Sequence, residues 1–234
     1  MNHLIQQISI MALPLIFAVT LHEAAHAWVA DKKGDHTARM LGRITLNPLA
    51  HTDLFGTVII PLLLFMTTGF IFGYAKPVPV NPFNLRRPKQ DMAWVAAAGP
   101  GMNFLLAIVS GVFYRLILLW NPNLYPSAGG SFFSTPGALS SSFFVPLLLM
   151  LRFSVDINVL LMIFNLIPIP PLDGGRVLVG ALPERSSRMM RSIEPYGMFL
   201  LLILVFLDPF GVMRKVVWPL VSIFSGYIFG ERLI

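Results

Sequence analysis

The sequence predicts an all-α polytopic membrane protein: a core of three transmembrane helices, a re-entrant or extended segment between the first two, and a C-terminal helical pair. Three observations carry that prediction. Hydrophobic residues make up 56% of the 234 positions and charged residues only 12%, about half the charged share of an average soluble domain. Apolar runs recur at about 4–30, 54–75, 92–120, 143–169 and 195–230, and several reach the roughly 20 residues a helix needs to cross hydrocarbon. Lysine and arginine collect in the short connections between those runs, and no stretch is polar enough to form a soluble domain.

The first span, about 4–30, lacks a basic leader and runs without a break into "AVTLHEAAHAWVA", so a retained helix is expected rather than a cleaved signal. The connection 31–53 holds Lys32, Lys33, Arg39 and Arg43, and the connection 73–92 holds Lys76, Arg86, Arg87 and Lys89; the positive-inside rule assigns both to the cytoplasm. A single crossing between them would separate them, yet Pro61, Gly69 and Gly73 interrupt the intervening run and "YAKPVPVN" follows it as a proline-rich extended stretch. A re-entrant segment over about 54–80 resolves the conflict, provided that protein or a water-filled cavity shelters it. The second span, about 92–120, leads to a connection (121–142) without any basic residue, and the third, about 143–169, leads to Arg176, Arg185, Arg188 and Arg191. Residues 1–177 thus form the expected core and 178–234 the C-terminal membrane helices, broken by "DPFG" at 208–211.

The net charge of +6 does not indicate nucleic acid, because the basic residues sit where anionic headgroups would meet them. Cysteine is absent, which excludes a disulfide framework, a thiolate metal site and a thiol nucleophile. Trp28, Trp94, Trp120 and Trp218 fall near the ends of apolar runs, where interfacial anchoring accounts for them.

Chemistry concentrates in residues 22–26. His22 and His26 stand four apart, so on a helix they share one face and can reach one divalent metal, with Glu23 beside them as a general base toward water. A polar cluster gluing helices together would explain the polarity but not this order and spacing. The histidines lie nine and five residues before Asp31, roughly 13 and 7 Å inward of that charge, so the protein must admit water to them. A catalytic metal site needs a third ligand and an open position. His3 belongs to the far end of the first span, and His36 and His51 to the connection after it, which leaves a carboxylate from another span. Asp173, in "FNLIPIPPLDGGRV" at the end of the third span, can turn back into the bundle because prolines break the helix and two glycines permit a tight turn. The alternative for Asp173 is an ordinary turn carboxylate.

Together these residues resemble the site-2 proteases, the intramembrane zinc metalloproteases of peptidase family M50. "HEAAH" matches the family's metal-binding span, "AAAGPGMN" its Ala-Gly-Pro segment, and "NLIPIPPLDGG" its Asn-Pro-Asp-Gly signature, in the family's order over residues 20–177. "GRITLNPLAH" and "YAKPVPVNP" are similar to its compact prokaryotic branch, without PDZ or CBS domains. The resemblance implies one zinc ion held by His22, His26 and Asp173, with Glu23 as the base and Asn165 orienting substrate or polarising the scissile carbonyl. It further implies a multi-pass protein of the bacterial inner membrane with its site towards the cytoplasm. Substrates would be single-span membrane proteins, selected by the core, a short loop or a separate regulatory membrane partner.

Other readings stay open at this stage. A metal-binding scaffold would keep the ligands, though it has no need of Glu23, and a metal transporter would need a route to both faces. Another metalloprotease class would use a glutamate as third ligand, but Glu184, Glu194 and Glu231 lie in no comparable motif. "RITLN" and "KPVPVN" are expected to be extended strands that pair with an unwound substrate or with each other. His51 and Asp53 fit a gate, a pair supporting the metal ligands from behind, an inhibitory ligand or a polar cap on the next segment; Asn103 fits the orientation of a neighbouring loop, while packing against the histidine helix explains Gly99 and Gly101 without chemistry.

Overall fold

The computed structural model describes residues 2–51, 76–124 and 144–230, together with positions 53, 56, 59 and 63. Among the described residues every regular element is helical. The three core spans are α1 (Asn2–Lys32), α3 (Pro88–Trp120) and α4 (Phe144–Asn165), with a single short turn of helix, α2 (Thr37–Met40), after the first. Beyond them follow α5 (Asp173–Ala181), α6 (Glu184–Ile193), α7 (Gly197–Leu202, extended by a wider turn to Leu207) and α8 (Trp218–Phe229, preceded by a similar turn from Met213).

The boundaries differ from the hydropathy limits for local reasons. Helix α3 begins four residues before 92 because Pro88 needs no partner for a missing N–H and Asp91 Oδ2 accepts the Arg87 N–H at 2.8 Å. Helix α4 stops at Asn165, short of 169, because Pro168, Pro170 and Pro171 cannot continue its hydrogen-bond ladder. Most of the expected re-entrant segment, 54–80, lies outside the described residues. Its described flanks meet: the Lys76 N–H donates to His51 O at 3.0 Å. Residues 44–46 are a run of bends and 76–81 an extended stretch without a ladder, so the two expected strands do not pair with each other. Pro77 and Pro79 remove the donors from one edge of the extended stretch.

Helix α3 is the centre of the bundle and packs against α1, α4, α5 and α8. Ala107, Val155, Val159, Val217 and Val221 bury the seam between α3, α4 and α8. Four helical stretches are long and apolar enough to cross a membrane: Ile8–Lys32, Pro88–Trp120, Phe144–Asn165 and Glu184–Leu207. The fourth does not traverse the bundle. Its Gly197 abuts Pro170 and Pro171, next to Asp173, and the turn at Asp208 to Gly211 then leads straight into the final helix. That helix ends at the other face, where Arg115 Nε donates to Phe229 O at 3.1 Å and Arg152 lies 5.0 Å over the Phe229 ring. Seventeen helical residues cover about 25 Å, so its beginning, near Met213, returns to the end of the bundle that holds Asp173. The C-terminal helices are a pair, as expected.

Behind the end of α1, Asp35 is fully buried. Its carboxylate accepts from Thr37 N and Oγ1 at 3.1 and 2.5 Å, from Asn81 N at 2.7 Å and from Asn84 Nδ2 at 3.0 Å. Burial pushes this carboxyl up, but those four donors hold it below its ordinary value.

Candidate active site

Helix α1 presents His22 and His26 on one face, one turn apart, and α5 opens with Asp173 facing them. The turn before α5 is folded tightly on itself: a side chain at Gly174 or Gly175 would strike the backbone between Leu166 and Pro170. Only glycine admits that approach. His22 Nε2 and His26 Nε2 lie 3.0 Å apart, and Asp173 Oδ2 is 3.2 Å from the first and 3.4 Å from the second. His22 and Asp173 are each 8% exposed. Among the described residues this is the group of histidines and carboxylates whose ligand atoms converge as a metal site requires.

Hydrogen bonding fixes what those atoms offer. His22 Nδ1 sits 2.5 Å from Asn103 Oδ1, and His26 Nδ1 sits 2.6 Å from Val95 O. The orientation of Asn103 follows from its amide nitrogen, which donates to Ala18 O at 3.2 Å and Asn158 Oδ1 at 2.8 Å. In the neutral form both histidines therefore donate through Nδ1 and keep a lone pair on Nε2. In that form two imidazole lone pairs and a carboxylate oxygen face one another, and Asp173 Oδ2 is buried without a hydrogen-bond partner. Such an arrangement is repulsive unless a cation joins it. The separations agree with the edges of a tetrahedron, about 3.3 Å for ligand bonds of about 2.0 Å. Gly99 of α3 completes the cradle: a Cβ there would lie 2.6 Å from His22 Nε2 and against His26 Nε2, in the space a metal and its open position need. The donor set and its geometry fit a divalent metal of the zinc type.

Glu23, half-buried beside the pair, is held from outside the helix, its Oε2 accepting the Val78 N–H at 2.9 Å. Asn165 ends α4 and bonds back to Leu161 O at 3.0 Å. Its side chain makes no hydrogen bond to the three converging residues. His51 is buried, with Nε2 3.0 Å from Thr45 O, and Asp53 Oδ1 accepts the Gly56 N–H at 2.7 Å. Both contacts are local, as a polar cap on the following segment would make.

The sequence reading missed a buried polar chain. From His22 it runs through Asn103 and Asn158, whose amide nitrogen is 2.8 Å from Ser154 O and 3.3 Å from Ser154 Oγ, to Ser110 Oγ 2.8 Å further on. Polar residues at helical spacing inside two apolar spans, Asn103 with Ser110 and Ser154 with Asn158, were the available signal.

Residues 10–207 match the family described as Peptidase family M50. The chain belongs to that family. Among relatives of this M50 peptidase, the protein named "Putative zinc metalloprotease YwhC" from Bacillus subtilis is 36% identical over 212 residues, covering 91% of this chain and 85% of its own. Rip2 of Mycolicibacterium smegmatis, whose name carries the same description, is 27% identical over 194 residues, covering 83% of this chain and 65% of its own. "Zinc metalloprotease Rip1" of Mycobacterium bovis shares 31% over 130 residues, 51% of this chain and 30% of that protein. No solved structure matches the chain. Family M50 membership makes the protein a multi-pass membrane peptidase, with the converging residues of α1 and α5 inside the matched region.

Proposed function

We propose that this M50 peptidase is an intramembrane zinc metalloendopeptidase. It hydrolyses peptide bonds within or near single transmembrane helices of membrane-anchored proteins, and it holds one zinc per chain on His22, His26 and Asp173. The observation that carries the reading is the convergence of two imidazole nitrogens and a carboxylate oxygen at tetrahedral spacing, beside the Glu23 carboxylate. When bound, zinc supplies Lewis acidity, polarising a peptide carbonyl and making water a stronger acid. Asn103 and the Val95 carbonyl keep the two imidazoles in the ligating tautomer. Glu23 takes the proton of the attacking water at a carboxylate oxygen and returns it to the nitrogen of the leaving amine. Asn165, at the head of the turn that carries Asp173, orients the substrate backbone.

Lys32, Lys33, Arg39, Arg86, Arg87 and Arg176 all lie on connections or helix ends at the same end of the bundle as the three ligands. The positive-inside rule then supports a bacterial inner-membrane protein with its site towards the cytoplasm. Substrate selection would use the core, a short loop or a separate regulatory membrane partner.

The test compares purified wild type with Glu23→Gln and Asp173→Ala, measuring bound metal and cleavage of single-span peptides in detergent. About one zinc in wild type and Glu23→Gln, less in Asp173→Ala, and cleavage by wild type alone is the expected result. Full cleavage by Glu23→Gln would remove Glu23 as base, and metal without any cleavage would favour a binding scaffold.

A further inference from the structure

We propose that Arg43 is a positioning residue for the Glu23 carboxylate, acting through the peptide group between Pro77 and Val78. The inference rests on the reading of Glu23 as the base. One peptide plane joins the two side chains: its carbonyl, Pro77 O, accepts from Arg43 Nη2 at 3.3 Å, and its N–H, on Val78, donates to Glu23 Oε2 at 2.9 Å. The same nitrogen of Arg43 reaches Lys76 O at 2.9 Å, while Nη1 donates to Ala50 O. The planar fork of a guanidinium can grip three carbonyls in this way, which an ammonium on a flexible stem cannot match.

The grip has something to hold. Pro77 and Pro79 have no N–H and lie outside any ladder, so the extended stretch 76–81 has no strand partner to fix its height against α1. Its place is set by side chains instead. Arg43 and the His51 carbonyl hold Lys76 and Pro77, Asp35 holds the Asn81 N–H at 2.7 Å, and the Val78 side chain packs with Ala27 of α1 and Ala38 of α2. Between these anchors a single N–H, that of Val78, points at the carboxylate. A cation on the carbonyl side of that amide also strengthens the bond its N–H makes, because hydrogen bonds in a chain polarise one another. With Oε2 so tied, the other carboxylate oxygen is left for proton transfer.

The experiment measures kcat and KM on a single-span peptide, bound zinc, and hydrogen exchange of a peptide covering 76–81, where the prolines leave few exchanging amides. Arg43→Ala and Arg43→Lys are compared with Val78→Pro, which deletes the N–H and leaves Arg43 in place, and with the Arg43→Ala, Val78→Pro double variant. The expected result is a kcat loss of tenfold to a hundredfold in Arg43→Ala, with KM and zinc unchanged and at least tenfold faster exchange at Val78. Arg43→Lys recovers only part of the loss, Val78→Pro reproduces the loss, and the double variant is no worse than either single one. Multiplying losses in the double variant, a rise in KM alone, lost zinc, or unaltered exchange at Val78 would each overturn the proposal. A wild type that cleaves nothing sinks the proteolytic reading instead, and the exchange measurement, made without substrate, tells the two failures apart.

Discussion

Asn103 shows how one amide on α3 orients a histidine on α1. Its oxygen is committed to His22 because its nitrogen is committed to Ala18 and Asn158, so the neutral imidazole turns its Nε2 lone pair toward His26 and Asp173. Replacing it by leucine leaves that tautomer unfixed. The Asn103→Leu variant is expected to bind zinc 10–100-fold more weakly, the usual cost of losing such a support, as read by competition with a chelator. An unchanged affinity would show that Asn103 serves packing alone. At this scale the HEAAH residues were legible because their geometry is local: four residues on a helix suffice to place both rings. Asp173 was legible through the prolines and glycines around it. Asn158 was not, because its role depends on how α3 and α4 cross, which no spacing within either helix encodes. Asn165 was read from resemblance alone, and its amide nitrogen bonds back to Leu161 O.

Among the elements, hydropathy located the three core spans to within a few residues, since burial in lipid is what the pattern records. It did not distinguish a helix that crosses from one that returns. Glu184–Leu207 qualifies on length and composition, yet its contacts at Gly197 and its turn at Asp208 keep both flanks at the ligand end. The chain has no cysteine, which makes the point easy to check by single substitutions. Pro209→Cys is expected to react with an impermeant thiol reagent from the same face as Arg188→Cys, and Asn121→Cys from the opposite face. Grouping of position 209 with 121 would mean that α7 crosses. The anchor of the 81–84 stretch on Asp35 has its own signature. Its depressed carboxyl contributes stability in full above the unfolded value near about 3.9 and loses it as pH falls through the lower folded value. Melting temperature in wild type should therefore drop more steeply below about pH 4 than in Asp35→Asn, and parallel curves would contradict that origin.

At the scale of the whole molecule, the site is an agreement between the beginning and the later part of the chain. His22 and His26 come from the first helix and Asp173 from the element after the third span, with α3 between them offering Gly99 where any side chain would intrude. Stripping the metal is expected to lower the melting temperature reversibly, and added zinc to raise it with the logarithm of its free concentration, as calorimetry or a dye-free melting assay in detergent would show. A melting point indifferent to chelation would mean that the bundle closes without help from its ligands.

The distance in sequence between those ligands has a consequence for the history of each molecule. Helix α1 leaves the ribosome long before Asp173 is made, so through most of synthesis His22 and His26 wait without their third companion. Any ion they capture then is held by two ligands and easily surrendered. On the proposed reading, competence arrives as a late event in assembly, after the third span is seated, and a chain halted earlier lacks the third of its proposed ligands.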